Sequence, residues 1–282
     1  VAIVTPFKNN KLDEEAYLKL INFHLENGTN GLVPAGTTGE SPTLSHDEHE
    51  KVIEICIKES NGKIPVIAGT GSNSTEEAVA LTKHAEKAGA DGALVVTPYY
   101  NKPTQKGLEL HYIELSKIGA EIILYNVPGR TGVDLLPSTV EKLIKIKTIT
   151  GIKEAVNTEE RFLALSKIKG KRKDFKLYSG DDPSYVEFMK FRGDGVISVA
   201  ANVMPKEIKE LSNLCLAGNF IEAEKIIKNY QDFFKLLFTE SSPSPCKFIL
   251  EKLSLLENNL RLPLHPLSEE YRENIYEAFK NI

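Results

Sequence analysis

The chain has 282 residues, of which 41% are hydrophobic and 26% charged, with a net charge of -4 and a pI near 6.0; this is ordinary globular composition and excludes extensive disorder. It offers no basic footprint for nucleic acid or an anionic membrane surface, so small molecules and protein partners are the expected ligands. Cys56, Cys215 and Cys246 lie far apart without Cys-x-x-Cys or Cys/His spacing, which argues against a disulfide framework or a zinc site and suits a reducing cytoplasm, and no apolar run approaches the roughly 20 residues that span a bilayer.

A chain of this length suits either two domains or one barrel of about 250 residues with a small appendage. In chain order, short β-branched runs recur: AIVTPF (2–7), GLVPAG (31–36), PVIAGT (65–70), GALVVTP (92–98), EIILYNVP (121–128), TITGIKEA (148–155), FKLYSGD (175–181) and GVISVAAN (195–202). Each is closed by a turn-forming residue and followed by an amphipathic stretch. LDEEAYLKLINFHLENG and TEEAVALTKHAEKAG are examples, with acidic residues early and Gly just past the end. The spacing of roughly 20–35 residues is that of a βα unit. Eight such units close most simply as a parallel (β/α)₈ TIM barrel of the α/β class. The rival, a doubly wound sheet, usually carries Gly-x-Gly-x-x-Gly after its first strand, and this chain does not.

After Asn202 the strand signal stops, and the remainder reads as helices with breaks near Gly218, at SSPSP (241–245) and at LRLPLHPL (260–267). The first of these helices completes the barrel. The expected organisation is therefore a catalytic barrel over 1–217 and a C-terminal three-helix domain over 218–282.

Barrel chemistry gathers where strands end at their C-terminal side. Those ends carry Thr37 and Thr38, Tyr99 and Tyr100, Tyr125, Arg130 and Lys153, a set without the Asp/Glu/His cluster that a catalytic metal needs. Lys153 follows a buried-strand pattern and precedes Glu154. Desolvation among apolar neighbours favours a neutral amine, the nucleophile for a Schiff base; the alternative is a lysine that snorkels to the rim or pairs with Glu154. Tyr125, one strand away, is either a proton-transferring phenol or a packed aromatic. Arg130 is either a bidentate carboxylate clamp or a solvated loop residue. In AGTTGES (35–41), Gly36 and Gly39 permit close backbone approach, and the N–H groups about Thr37 and Thr38 can cradle a carboxylate; an ordinary βα turn reads the same way. GTGSN (69–73) lacks the Gly-Lys-Ser/Thr of a phosphate loop and is read as a turn. His46 and His49, in a helical first turn, read as surface residues.

AGTTGES, VTPYYNKP, LYNVPGRTG, GIKEA, LYSGDD and GVISVAAN, in this order and spacing, together with RLPLHPLSEEY (261–271), resemble the pyruvate-dependent class I aldolase superfamily, to which the N-acetylneuraminate lyases belong. Within it they are most similar to the dihydrodipicolinate synthase family. The resemblance covers essentially the whole chain. It implies a (β/α)₈ barrel with a C-terminal helical domain, no metal or organic cofactor, and a cytoplasmic homo-oligomer, usually a tetramer. The implied reaction is condensation of pyruvate with aspartate 4-semialdehyde in lysine and diaminopimelate biosynthesis. By the same resemblance Lys153 is the Schiff-base lysine, and Tyr125, Thr37 and Tyr100 form the proton relay, Tyr100 reaching in from a neighbouring subunit. Thr38 joins Thr37 on the pyruvate carboxylate, Arg130 engages the second substrate, and Gly180 and Ile197 line the pyruvate pocket. Ser41, Pro42, His46, His49, Asn73, Glu77 and Tyr99 match the effector site of lysine-inhibited members.

Sister enzymes share the lysine and tyrosine. N-acetylneuraminate lyases typically carry Ser-Thr in place of Thr37-Thr38 and lack the equivalent of Arg130, so this chain matches the synthase; another 2-keto acid aldolase, or a catalytically silent paralogue, are the other readings. One departure is local: Val156, Asn157 and Thr158 stand where many members have small residues and Gly.

Overall fold

The six parallel strands at the middle of the chain make its largest sheet, and the computed structural model describes them along with every other residue from Val1 to Ile282. Two units divide the chain: Ile67–Ile197, and Val1–Val66 together with Ser198–Ile282.

In chain order, β1 (Phe7–Lys8) and β2 (Lys11–Leu12) form a small antiparallel hairpin, its tight turn made by Asn9 and Asn10, both left-handed, a conformation Asn tolerates better than most residues. Helix α1 (Glu14–Glu26) is N-capped by Asp13, whose carboxylate accepts from the Ala16 N–H. Helix α2 (His46–Ser60) opens on a capping box, Ser45 and Glu48 each accepting the other's backbone N–H, and packs on α1.

The central unit then alternates β3 (Ile67–Gly69), α3 (Thr75–Ala88), β4 (Gly92–Val96), α4 (Gln105–Ser116), β5 (Ile122–Asn126), the short α5 (Pro128–Thr131), α6 (Pro137–Leu143), β6 (Ile149–Glu154), α7 (Glu159–Lys171), β7 (Lys176–Ser179), α8 (Tyr185–Lys190) and β8 (Gly195–Val196). The strands pair in sequence order, β3 to β8, all parallel, as short βαβ connections require. Ala93, Val95, Ile122, Leu124, Ile152 and Leu177 bury against Leu108, Tyr112, Val140, Phe162 and Phe188 of the helices, and this layer is the unit's core. Burial of each valine, leucine, isoleucine or phenylalanine side chain among them stabilises the fold by roughly 1.5–3 kcal/mol. Gly71, in the segment read as a turn, has no room for a side chain: a Cβ there would meet the Val96 nitrogen at 2.4 Å.

Helix α9 (Pro205–Leu216), α10 (Phe220–Leu236), α11 (Ser244–Lys252) and α12 (Glu269–Lys280) complete the other unit, where α10 packs on α9 and α12, and α11 on α12. No helix is long and apolar enough to cross a membrane, and all three cysteines are buried thiols.

The first two expected strands do not form regular ladders. Ile3 donates to the Val33 carbonyl (3.2 Å), Val33 to Val1 (2.8 Å), Leu32 to Pro65 (3.0 Å) and Ala2 to Ser198 (3.0 Å), a parallel pattern that stops where Pro6 and Pro34 supply no N–H. The last expected strand is also cut short: Ala200–Asn202 turn into a single 3-10 turn. The Asn202 amide then bonds the Ala2 carbonyl (2.8 Å) and accepts from the Val4 N–H (3.1 Å), tying the start of the chain down by side chain where a ladder would otherwise do so.

Candidate active site

Parallel register sets the central arrangement. Val96, Tyr125, Lys153, Tyr178 and Gly195 are successive Cα partners across β4 to β8, and partners in register point to the same face of the sheet. Tyr125 and Lys153 are therefore neighbours by construction. Both are buried, 7% and 5% exposed, and the Lys153 Nζ lies 4.2 Å from the centre of the Tyr125 ring, a cation–π contact that holds the amine against the phenol.

Gly180 follows β7, its N–H donating to the Glu154 carbonyl at 2.7 Å. A Cβ there would stand 3.1 Å from Lys153 Cε and 3.2 Å from that carbonyl, so the absence of a side chain is what leaves space for the lysine stem. Ile197 is buried and hydrogen-bonds Ser179 (2.9 Å).

The alternation of strand side chains places the following residues on the opposite face. Asn126 and Glu154, register partners in turn, meet there with Asp134 and Arg161. The Asn126 amide donates to Asp134 (2.7 Å) and Glu154 (2.9 Å), and Arg161 donates to Glu154 (3.0 Å), Asp134 (2.5 Å) and the Leu135 carbonyl (3.2 Å). Glu154 thus pairs with Arg161, and the alternative pairing of Lys153 with Glu154 is excluded because consecutive strand residues face opposite ways. Burial pushes the Glu154 carboxyl up to about 7, against the pull of Arg161, the Val156 N–H and Asn126. The divergent 156–158 segment is held by the same group: Val156 donates to Glu154 (2.8 Å), and Thr158 caps α7 through the Arg161 N–H.

Arg130 is exposed on α5. Tyr100 is 89% exposed and left-handed, φ 72°, uncommon for a bulky residue and a mark of functional sites; its N–H reaches the Thr131 carbonyl at 3.3 Å. Tyr99 is half-buried beside it.

In the other unit, the 35–41 turn is bounded by two left-handed non-glycine residues, Ala35 (φ 53°) and Glu40 (φ 56°). Glu40 donates its N–H to the Thr37 carbonyl (3.1 Å) and Ser41 to that of Gly36 (3.3 Å). Thr37 is half-buried and Thr38 buried. Gly39 fills a close approach: a Cβ would stand 3.1 Å from the Ile3 carbonyl, and the Thr5 hydroxyl bonds the Gly39 carbonyl at 2.7 Å. Behind the turn, Lys247 donates to Glu40 (2.5 Å) with both side chains fully buried, and Arg261 makes two 2.6 Å bonds to Glu48. Sequence reasoning missed these partners and those of Glu154, since none belongs to a local motif.

The expected effector residues fall in both units. Ser41 and Pro42 form a 3-10 turn with Thr43, His46 is exposed at the start of α2, and His49 is 5% exposed, so the surface reading of His49 is corrected: the inner side of α2 buries it. Glu77 of α3 accepts from the Ser72 hydroxyl, and the Asn73 carbonyl accepts from the Asn101 amide (2.8 Å).

With this geometry, residues 1–282 match the dihydrodipicolinate synthetase family throughout. The chain belongs to the dihydrodipicolinate synthase family. A 4-hydroxy-tetrahydrodipicolinate synthase of Pelagibacter ubique is 50% identical over 99% of this chain and 96% of its own length. The dihydrodipicolinate synthase of Acinetobacter baumannii, chloride-inhibited and complexed with pyruvate, superposes with a TM-score of 0.96 at 46% identity, covering 99% of this chain and 96% of that one. The Cyanidioschyzon merolae enzyme with lysine bound superposes at 0.95 and 36% identity over 99% of this chain and 96% of its own. The fold is accordingly the α/β TIM barrel of these lyases, as the strand and helix alternation predicts.

Proposed function

We infer that the 4-hydroxy-tetrahydrodipicolinate synthase activity of this family member runs through Lys153. The observation that carries the assignment is the in-register pair: a buried amine 4.2 Å from the ring of a buried tyrosine, with a glycine clearing its stem. The amine adds to the keto carbon of pyruvate, the carbinolamine loses water to give the imine, and loss of a methyl proton gives the enamine. Tyr125, with Thr37 and Tyr100, carries these protons; Thr37 and Thr38 take the pyruvate carboxylate, and Gly180 and Ile197 are assigned to the pyruvate pocket. The enamine carbon bonds to the aldehyde carbon of aspartate 4-semialdehyde, whose carboxylate engages Arg130. The new amino group then attacks the imine carbon and expels Lys153 as the ring closes. Each step needs an amine and a proton relay, which these residues supply without a metal or organic cofactor.

Tyr100 fits service to a neighbouring subunit because its side chain leaves its own chain almost wholly exposed. That role requires at least a dimer, and by the family resemblance we assign a homotetramer, a dimer of dimers. We further assign catalysis to residues 1–217, a helical appendage to 218–282 and a cytoplasmic location. Lysine feedback is assigned to Ser41, Pro42, His46, His49, Asn73, Glu77 and Tyr99, in keeping with the lysine-bound relative.

The test is the initial rate with pyruvate and aspartate 4-semialdehyde, coupled to the next reductase and followed by NADPH loss, with N-acetylneuraminate cleavage assayed alongside. A coupled rate is expected. No coupled rate, with pyruvate still trapped on Lys153 by borohydride, would transfer the chain to another pyruvate-dependent aldolase.

A further inference from the structure

A buried ion pair seldom stabilises a fold more than two well-packed apolar residues of the same volume would; its best-attested use is to select one arrangement. The pair between Glu40 and Lys247 lies at the end of the 35–41 turn, and both Glu40 oxygens and the Lys247 amine are hydrogen-bonded. Lys247 donates to one Glu40 oxygen (2.5 Å) and to the Asn259 carbonyl (2.8 Å), and the Arg261 N–H donates to the other Glu40 oxygen (3.2 Å). The Phe7 ring sits within 4.5 Å of Lys247 Nζ and 4.2 Å of the Arg261 guanidinium, which closes the group off from water.

Glu40, with Ala35, is also one of the two left-handed non-glycine positions of the turn. Its left-handed conformation, φ 56° and ψ 35°, costs about 1–2 kcal/mol for a residue with a Cβ. A glycine would adopt it freely, yet the position carries a side chain reaching a lysine 207 residues away. The same backbone closes the turn on both sides: its N–H bonds the Thr37 carbonyl (3.1 Å), and its carbonyl accepts from the Thr43 N–H and hydroxyl (both 3.0 Å). The rotation of this one residue therefore decides where Thr37 and Thr38 aim.

We propose that Glu40 and Lys247 are positioning residues for carboxylate binding, the buried pair locking the turn so that Thr37 and Thr38 present their groups to the pyruvate carboxylate. The proposal rests on the reading of that turn as the carboxylate site. Neither residue touches substrate; the pair acts through the backbone of Glu40.

The test measures half-saturation by pyruvate alone, from borohydride trapping on Lys153, together with the KM for aspartate 4-semialdehyde and the thermal midpoint. The variants are Glu40→Gln/Lys247→Met, Glu40→Asp and Thr38→Val, each in the full-length chain. In the double variant both charges go together, so its thermal midpoint stays near the native value. Its pyruvate half-saturation is expected to rise about tenfold, equivalent to about 1.4 kcal/mol, with the aldehyde KM within about twofold. Glu40→Asp keeps the charge and the fold but shortens the reach to Lys247, and is expected to weaken pyruvate severalfold. It decides the matter if the double variant does not fold. Unchanged pyruvate half-saturation in Glu40→Asp or in a folded double variant, with Thr38→Val weakened, overturns the proposal and leaves the carboxylate site standing. Unchanged half-saturation in Thr38→Val overturns the carboxylate reading of the turn and the proposal with it.

Discussion

Two charge clusters, each centred on a buried glutamate, stand behind the two groups of proposed site residues, and they are built on different principles. The cluster of Asn126, Asp134, Glu154 and Arg161 lies on the back of the strands that carry Tyr125 and Lys153, and regular β-pairing places it. The cluster of Glu40, Lys247, Glu48 and Arg261 secures an irregular turn, and residues more than 200 positions apart place it. Where a ladder already fixes the backbone, charges tune what is there; where no ladder exists, they take over its work. The consequence is that the first cluster tolerates loss of a charge better than the second.

The largest expected effect isolates the strand half. Lys153→Ala removes the proposed nucleophile and is expected to lower the coupled rate by at least about a thousandfold and abolish borohydride trapping, with the fold retained by circular dichroism. Next is the turn half. Lys247→Met leaves the Glu40 carboxylate buried without its counter-ion and should cost about 3–5 kcal/mol in chemical denaturation. Glycine replacements sharpen the contrast further. Gly180→Ala presses on the Lys153 stem and the Glu154 carbonyl, whereas Gly39→Ala presses on the Ile3 carbonyl, the Thr5 hydroxyl and the Ala35 nitrogen, so both are expected to lose about 1–3 kcal/mol by overpacking, and Gly180→Ala, which crowds the amine directly, is expected to slow borohydride trapping more.

The smallest effect is a matter of pH. The folded Glu154 carboxyl titrates at about 7, above its ordinary 4.5, so the folded state binds the proton more tightly than the unfolded one, and stability falls as pH rises from 4.5 to 7. Glu48, hydrogen-bonded to Arg261, is held at about 2; its contribution is present above 4.5 and is lost as pH falls toward 2. Glu154→Gln is expected to flatten the denaturation profile between pH 5 and 7 and to leave the acid limb unchanged. A variant that also loses the acid limb would show the clusters to be one.

The difference between the clusters also explains what the sequence discloses. Tyr125 and Lys153 are legible because strand periodicity and strand-end position announce them, and the family motifs lie in the same runs. Glu154 was visible but ambiguous: strand alternation turns it away from Lys153, and its partner Arg161 lies on the next helix. Lys247 sits in a helical stretch with no local signal, and only the folded chain brings it to Glu40. The proline-limited segments at 1–6 and 31–36 look like strands because their side chains bury like strands, while their missing N–H groups forbid regular ladders.

The span between Glu40 and Lys247 also imposes an order in time. A nascent chain grows at roughly 5–20 residues per second, so about 10–40 s separate the appearance of the turn from the appearance of the lysine that locks it, 207 residues later. Throughout that interval the turn of Thr37 and Thr38 has its N-terminal contacts, such as the Thr5 bond to Gly39, but not its C-terminal ones. A chain halted before α11 therefore carries Lys153, Tyr125 and both threonines, and still lacks the lysine that pairs with Glu40.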